Sequence, residues 1–278
     1  MNTAEEARRK FASASADLRF AVLFSPRAQR PALTALLTVY LEICEILREC
    51  SDVGVAHTKL AWWREEVSLL SEQRPRHPLM VNLAQYLPKP FTLKELILEI
   101  IESIETDISA PVFQRFQEIE SYCRHRGGVL LELAASLAGA QRADTAGAAR
   151  NLGTSWQLAN IVIQTSENAR YGRVYFAAQD LYQHGVDQHI IAGAHTDSGL
   201  KTLLADYAQR ALAYAEAGLS QRSIEYHTLT AARVLNGLAQ ARLKKFAGSG
   251  YDTSQPPVEL RPLVCLLTAW RSARHIAR

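Results

Sequence analysis

Apolar residues recur along this chain mostly at three- and four-residue spacing, and runs of β-branched residues are short. That pattern predicts helices and few strands. "PALTALLTVYLEICEILREC" (31–50) is apolar at helical spacing, and Pro31 suits a first helical turn. "HTKLAWWREEVSLL" (57–70) reads as a second helix. Thr92 and Glu95 have capping-box spacing ahead of "LKELILEIIESIETDI". After Pro111, a long helical stretch carries Gly127 and Gly128 at its middle, each costing about 1 kcal/mol relative to alanine. Close approach of a backbone or ligand, a kink, or a break into two helices would each account for that pair. Asp144 is placed to cap the next helix. Residues 169–197 read as loop with a short helix near Asp180. Helices follow over about 199–217 and 221–246, then a polar linker and a last helix over 258–275. The expectation is one all-α domain over 1–278, of roughly ten helices, with a peripheral tail from about 248.

Composition narrows the classes. Hydrophobic residues make up 48% and charged residues 21%, which suits a packed core and argues against disorder. The 31 basic and 28 acidic residues are well mixed, so no basic face marks a nucleic-acid partner. Four cysteines, at 44, 50, 123 and 265, form no C-x-x-C pair and read as reduced thiols of a cytoplasmic protein. No secretory pattern opens the sequence, and no apolar run reaches membrane-spanning length.

The stretch "NIVIQTSENARYGRVYF" (160–176) carries the candidate chemistry. At about 100° per residue, Gln157, Asn160, Gln164 and Asn168 fall within an arc of roughly 80°, among apolar neighbours. Buried amides must be paired or hydrated. The stripe therefore faces a polar cavity between helices, or bonds directly to a neighbouring helix.

Four ordered blocks, over about residues 18–250, resemble the squalene/phytoene synthase family of head-to-head isoprenoid synthases. They are "LFSPRAQRPALTALLTVYLEICEILRE", "KLAWWREEV", "IESYCRHRGGVLLELAASLAGA" and "LGTSWQLANIVIQTSENARYGRVYF". The resemblance implies a terpenoid-synthase-like helical bundle around a central cavity. It implies two Asp-rich helices whose carboxylates hold Mg²⁺ against substrate diphosphates, helped by arginines.

Here the aligned acids are missing. The first motif falls on Cys44 and Arg48, with Glu45 beside them and Leu41 where an arginine would stand. The second falls on Gln164 and Asn168, with Ile163 for the arginine; only Glu167 keeps its acid. Neutral amides are poor partners for Mg²⁺. What the resemblance leaves as a substrate pocket is Leu41, Tyr122, Gln157, Asn160 and Arg173, with Gly172 and Tyr175. The expectation is a degenerate member without Mg²⁺-dependent condensation, needing no cofactor, that keeps a pocket for an isoprenoid, a lipid or a protein partner. Degenerate relatives serve as assembly factors of respiratory complexes, which is the analogy for a partner. The alternative is an active farnesyl or geranylgeranyl transferase with an altered diphosphate site: Arg48 binding diphosphate directly, or Glu45, Glu49 and Glu167 rebuilding an Mg²⁺ site.

Three further signals have plain readings beside functional ones. His184, His189 and His195 match no zinc spacing and read as loop histidines. Arg124, His125 and Arg126 beside Tyr122 read as a solvated helix face, or as a seat for an anionic head group. The tail "WRSARHIAR" suits a helix C-terminus or peripheral contact with the inner face of an anionic membrane.

Overall fold

Pro31 stands in the first turn of the helix from Arg30 to Glu49, where its missing N–H leaves no bond unmade. The computed structural model describes residues 3–12, 14–87, 90–187, 191, 197–220 and 225–274, and no strand occurs among them. Fourteen α-helices lie within these residues. They are α1 (Thr3–Ala12), α2 (Ala16–Phe24), α3 (Arg30–Glu49), α4 (Val53–Ser71), α5 (Pro78–Ala84), α6 (Pro90–Ser109), α7 (Phe116–Cys123), α8 (Val129–Leu137), α9 (Ala143–Ile163), α10 (Thr165–Arg170), α11 (Ala178–Gln183), α12 (Ser198–Ser220), α13 (Thr230–Gly248) and α14 (Pro262–Arg274). One cluster of buried apolar side chains runs from Ala7 in α1 to Ala269 in α14.

The central element is α9, which packs against α8, α12 and α13. Its sequence explains this. Ala148, Ala149, Gly153, Thr154 and Ser155 are all buried and small, so neighbouring backbones come close. The Ser155 hydroxyl donates to the Ala211 carbonyl of α12 at 2.7 Å and accepts from the Gln240 amide of α13 at 2.9 Å.

The double glycine forms a π-helical turn, Arg124–Gly128, joining α7 to α8. It also lies directly against α9. A Cβ on Gly127 would sit 2.4 Å from the Gly153 carbonyl oxygen, and a Cβ on Gly153 would sit 2.1 Å from that of Gly127. Two of the expected explanations therefore hold together: close backbone contact and a change of helix type.

Several boundaries differ from expectation. α6 begins at Pro90, so Thr92 lies inside its first turn rather than at its cap. Arg142 precedes α9, and Asp144 sits within the first turn, paired with Arg142 at 2.8 Å and favoured there by the helix dipole. α13 starts at Thr230, after a 3₁₀ turn over Tyr226–Leu229, and α14 starts at Pro262. His189 and His195 lie outside the described residues. His184 is half-buried at the end of α11, and no group of three or more metal-type side chains occurs among the described residues. No described helix is long and apolar enough to cross a membrane.

Candidate functional site

α6 buries Ile97, Ile100 and Ile104 along one stripe, and the same stripe ends on Asp107. Its carboxylate is almost completely enclosed. Arg126, delivered by the π-turn, forms an ion pair with it. Tyr122, one turn before Arg126, donates its hydroxyl to Asp107 Oδ2 at 3.1 Å. Tyr175, beyond α10, donates to Oδ1 at 2.7 Å. The two tyrosine rings stack with centroids 5.3 Å apart, and Phe113 packs on both. From α3, Cys44 Sγ accepts from the Arg126 guanidinium at 3.6 Å, and Tyr40 lies one turn before Cys44.

Burial sets the protonation of this cluster. It pushes the phenols of Tyr40, Tyr122 and Tyr175 above their ordinary value, and raises the Cys44 thiol even though Arg126 pulls it down. Burial also works against the charge on Arg126, but the groups packed against it, the Asp107 carboxylate among them, outweigh burial and hold the guanidinium protonated. The result is one buried cation against one buried anion, ringed by neutral hydroxyls and a thiol. Asp107 already accepts from three side chains, so it has little left to offer a ligand.

The loop that brings Tyr175 has its own logic. Gly172 has φ +71° after α10; its N–H bonds to the Ala169 carbonyl, and the N–H of Arg173 bonds to that of Asn168. This is a Schellman cap, for which a left-handed residue such as glycine is required. It leaves Arg173 half-buried on the rim of a cleft of about 170 Å³, whose walls include Ile46, Cys50, Asp107, Ala110 and Tyr171. Pockets for drug-sized ligands run about 300–1,000 Å³, so this cleft alone is too small for a prenyl chain. A larger cleft, about 380 Å³, lies between α3 and α4 among Glu42, Glu49, Lys59, Trp62, Trp63 and His77.

The expected site residues separate. Arg48 does not sit at a cavity mouth: its side chain is 78% exposed and 3.8 Å from Glu45. The guanidinium facing Cys44 belongs to Arg126. Glu49 faces Lys59 at 3.7 Å, and Glu167 is exposed. The amide stripe also breaks. Thr165 donates its hydroxyl back to the Ile161 and Val162 carbonyls, α9 ends at Ile163, and Gln164 turns outward to solvent. Gln157, Asn160 and Asn168 stay half-buried, as does Leu41, which packs on the core. Gln157 lies against Gly127 at the helix crossing. Of the expected pocket residues, Tyr122 and Tyr175 are drawn into the polar cluster.

Arg126 was expected on a solvated face and is instead buried, because it shares the Tyr122 face and meets Asp107 of α6 and Cys44 of α3 there. Two signals in the sequence point to it. Tyr122 and Arg126 share a helix face at i, i+4. Asp107 is an acid continuing a stripe of isoleucines.

The sequence profile of the squalene/phytoene synthase family matches residues 11–264. The chain belongs to the squalene/phytoene synthase family. Its relatives include the presqualene diphosphate synthase of Rhodopseudomonas palustris, 25% identical over 83% of this chain and 84% of that one. The chloroplastic phytoene synthase 1 of Arabidopsis thaliana is 29% identical over 49% of this chain and 34% of that one. Among solved structures, a dehydrosqualene synthase in complex with ligand superposes with a TM-score of 0.82, at 15% identity over 97% and 95% of the two chains. A squalene synthase from Alicyclobacillus acidocaldarius superposes at 0.78, with 20% identity over 90% and 95%. These structures share the terpenoid-synthase-like helical fold.

Within a squalene/phytoene synthase fold, the motif positions here do not fit Mg²⁺. The ion takes hard oxygens in near-octahedral array, usually one or two carboxylates with waters and substrate phosphates. Cys44, Arg48, Gln164 and Asn168 supply no carboxylate, and the acids nearby are dispersed or already paired.

Proposed function

We propose that this squalene/phytoene synthase family member does not condense prenyl diphosphates with Mg²⁺ and works instead through its surface and its smaller clefts. The observation that carries this reading is Arg126. A protonated guanidinium faces Cys44, the position of a first-motif acid, and is already neutralised by Asp107, whose carboxylate also accepts from Tyr122 and Tyr175. A cation bonded in this way takes the electrostatic place of a metal ion, and its partner carboxylate is not free to bind one. The ligand of such a protein is an isoprenoid, a lipid or a protein partner.

The competing reading is a metal-free transferase whose diphosphate rests on Arg173. Arg173 on the rim of a cleft that includes Asp107 favours it.

One assay separates the two. The purified chain is given farnesyl or geranylgeranyl diphosphate with Mg²⁺, with and without a nicotinamide reductant. The expected outcome is no squalene, phytoene or cyclopropyl diphosphate. Product that vanishes with chelator would overturn the proposal. Product that survives chelator but is lost in Arg173→Ala would establish the metal-free reading.

A further inference from the structure

The C-terminal helix α14 buries Cys265 and Ala269 and packs against α13 and α2. Its other side is apolar and uncovered. At about 100° per residue, Leu263, Leu267, Trp270 and Arg274 fall within an arc of about 60°, with Leu266 at its edge. Leu263 is 73% exposed, Leu267 52% and Trp270 42%. Single exposed apolar residues are ordinary, but a contiguous stripe of them on one short helix marks an interaction surface.

Charge selects the occupant. From Leu260 to Arg278 the sequence holds four arginines, one histidine and no acid. Arg261, Arg271 and Arg274 are exposed, and the Arg274 guanidinium lies 4.7 Å over the Trp270 ring. On the adjoining α2, Arg19 and Leu23 are exposed as well. A second copy of this chain would set these arginines against each other across a two-fold contact, with no carboxylate in the stripe to answer them. An aliphatic stripe, an amphipathic tryptophan and unopposed arginines match a layer that is apolar beneath and anionic above.

We propose that α14 lies in the interface of an anionic lipid bilayer. Leu263 and Leu267 enter the acyl boundary, Trp270 sits at head-group depth, and Arg261, Arg271 and Arg274 meet lipid phosphates. This surface is distinct from the Asp107–Arg126 cluster and does not depend on whether the chain condenses prenyl diphosphates.

The test is flotation of the full chain with phosphatidylcholine vesicles, with and without phosphatidylglycerol. Binding is expected only with the anionic lipid, and it should weaken in high salt. Leu263→Asp with Leu267→Asp should abolish it. Arg271→Glu and Arg274→Glu should weaken it by about fivefold or more each, since an arginine near such a surface is worth about 1 kcal/mol. All four side chains are exposed, so the melting temperature of each variant should match that of the parent chain. Equal binding to neutral vesicles, no binding at all, or variants that bind like the parent would overturn the proposal. So would a stable dimer in solution that Leu267→Asp dissociates while vesicle binding is absent.

Discussion

Two carboxylates in this molecule are held in the same manner, by an arginine and by tyrosine hydroxyls. Asp107 has Arg126, Tyr122 and Tyr175. Asp180 has Arg210 at 3.0 Å and the Tyr207 hydroxyl at 2.8 Å. The settings differ. The Arg126 and Asp107 side chains are 11% and 2% exposed, whereas those of Arg210 and Asp180 are 27% and 10% exposed. Arg210 also has a second carboxylate, Asp206, at 2.6 Å, and lies 4.1 Å over the Phe116 ring. The outer network fastens the α11 loop to α12. The inner one fills the space between α3, α6 and the π-turn, where the family resemblance expects acids and metal. The comparison teaches that the same pair of charges can serve as ordinary fastening at the edge of a fold, or, when enclosed, form a dry polar centre between helices.

The largest expected effect comes from breaking the inner pair. Arg126→Met leaves Asp107 charged and enclosed, which typically costs about 3–5 kcal/mol. Replacing both together, Asp107→Leu with Arg126→Met, should cost far less, because no uncompensated charge remains. Asp180→Asn should cost only about 1–3 kcal/mol, because Arg210 keeps Asp206 and partial access to water. Urea unfolding of the three variants checks the order. If Arg126→Met and Asp180→Asn lose equal stability, the inner pair is not the isolated, dry interaction described here.

Alkaline pH probes the same contrast through the tyrosines. Burial raises Tyr40, Tyr122 and Tyr175 around the inner pair, and Tyr207 in the outer network, above their ordinary value of 10.0. A phenol whose folded pKa is raised holds its proton longer in the native state than in the unfolded one. Its contribution is fully present below pH 10 and is lost as pH climbs past that value. Each such phenol should lower stability by about 1.4 kcal/mol per pH unit there. Tyrosinate absorbance should show these groups ionising only as the chain unfolds. Tyr122→Phe and Tyr207→Phe should each flatten the slope by one phenol; an unchanged slope would count against the burial of that hydroxyl.

The fold was legible because it depends on periodicity. The apolar spacing of α3, α6 and α9 survives in the structure, and the four family blocks fall on the helices expected. The centre was legible only in part. The loss of acids at Cys44, Arg48, Gln164 and Asn168 is written in the sequence, and so are the glycines of the crossing. What replaces the acids is less so, because the ion pair joins α6 to the turn after α7, and no single helix's periodicity shows that approach. In a regular helix Arg126 already falls within about 40° of Tyr122 and opposite Arg124; that Asp107 and Cys44 meet it on that face is a matter of how α6 and α3 pack. Likewise the amide stripe followed ideal angles until Thr165 bent the helix, and only then did Gln164 leave the line. Periodicity locates elements, whereas hydroxyl back-bonds and contacts between elements decide where single side chains go.

The smallest expected effect is at Arg48, the arginine that sequence alignment singles out. It stands in the last turn of α3, where a cation is favoured by the helix dipole, and Glu45, three residues earlier, lies 3.8 Å from it. Both interactions are exposed and screened. A dipole contact and an i, i+3 pair of this kind together contribute about 0.5 kcal/mol, and less in high salt. Arg48→Ala should therefore shift the urea midpoint slightly at low salt and hardly at all at high salt. It should also leave the binding of any anionic prenyl or lipid molecule unchanged, since Arg126 rather than Arg48 faces the interior. Loss of such binding in Arg48→Ala, with stability intact, would mean that the end of α3 closes over a ligand.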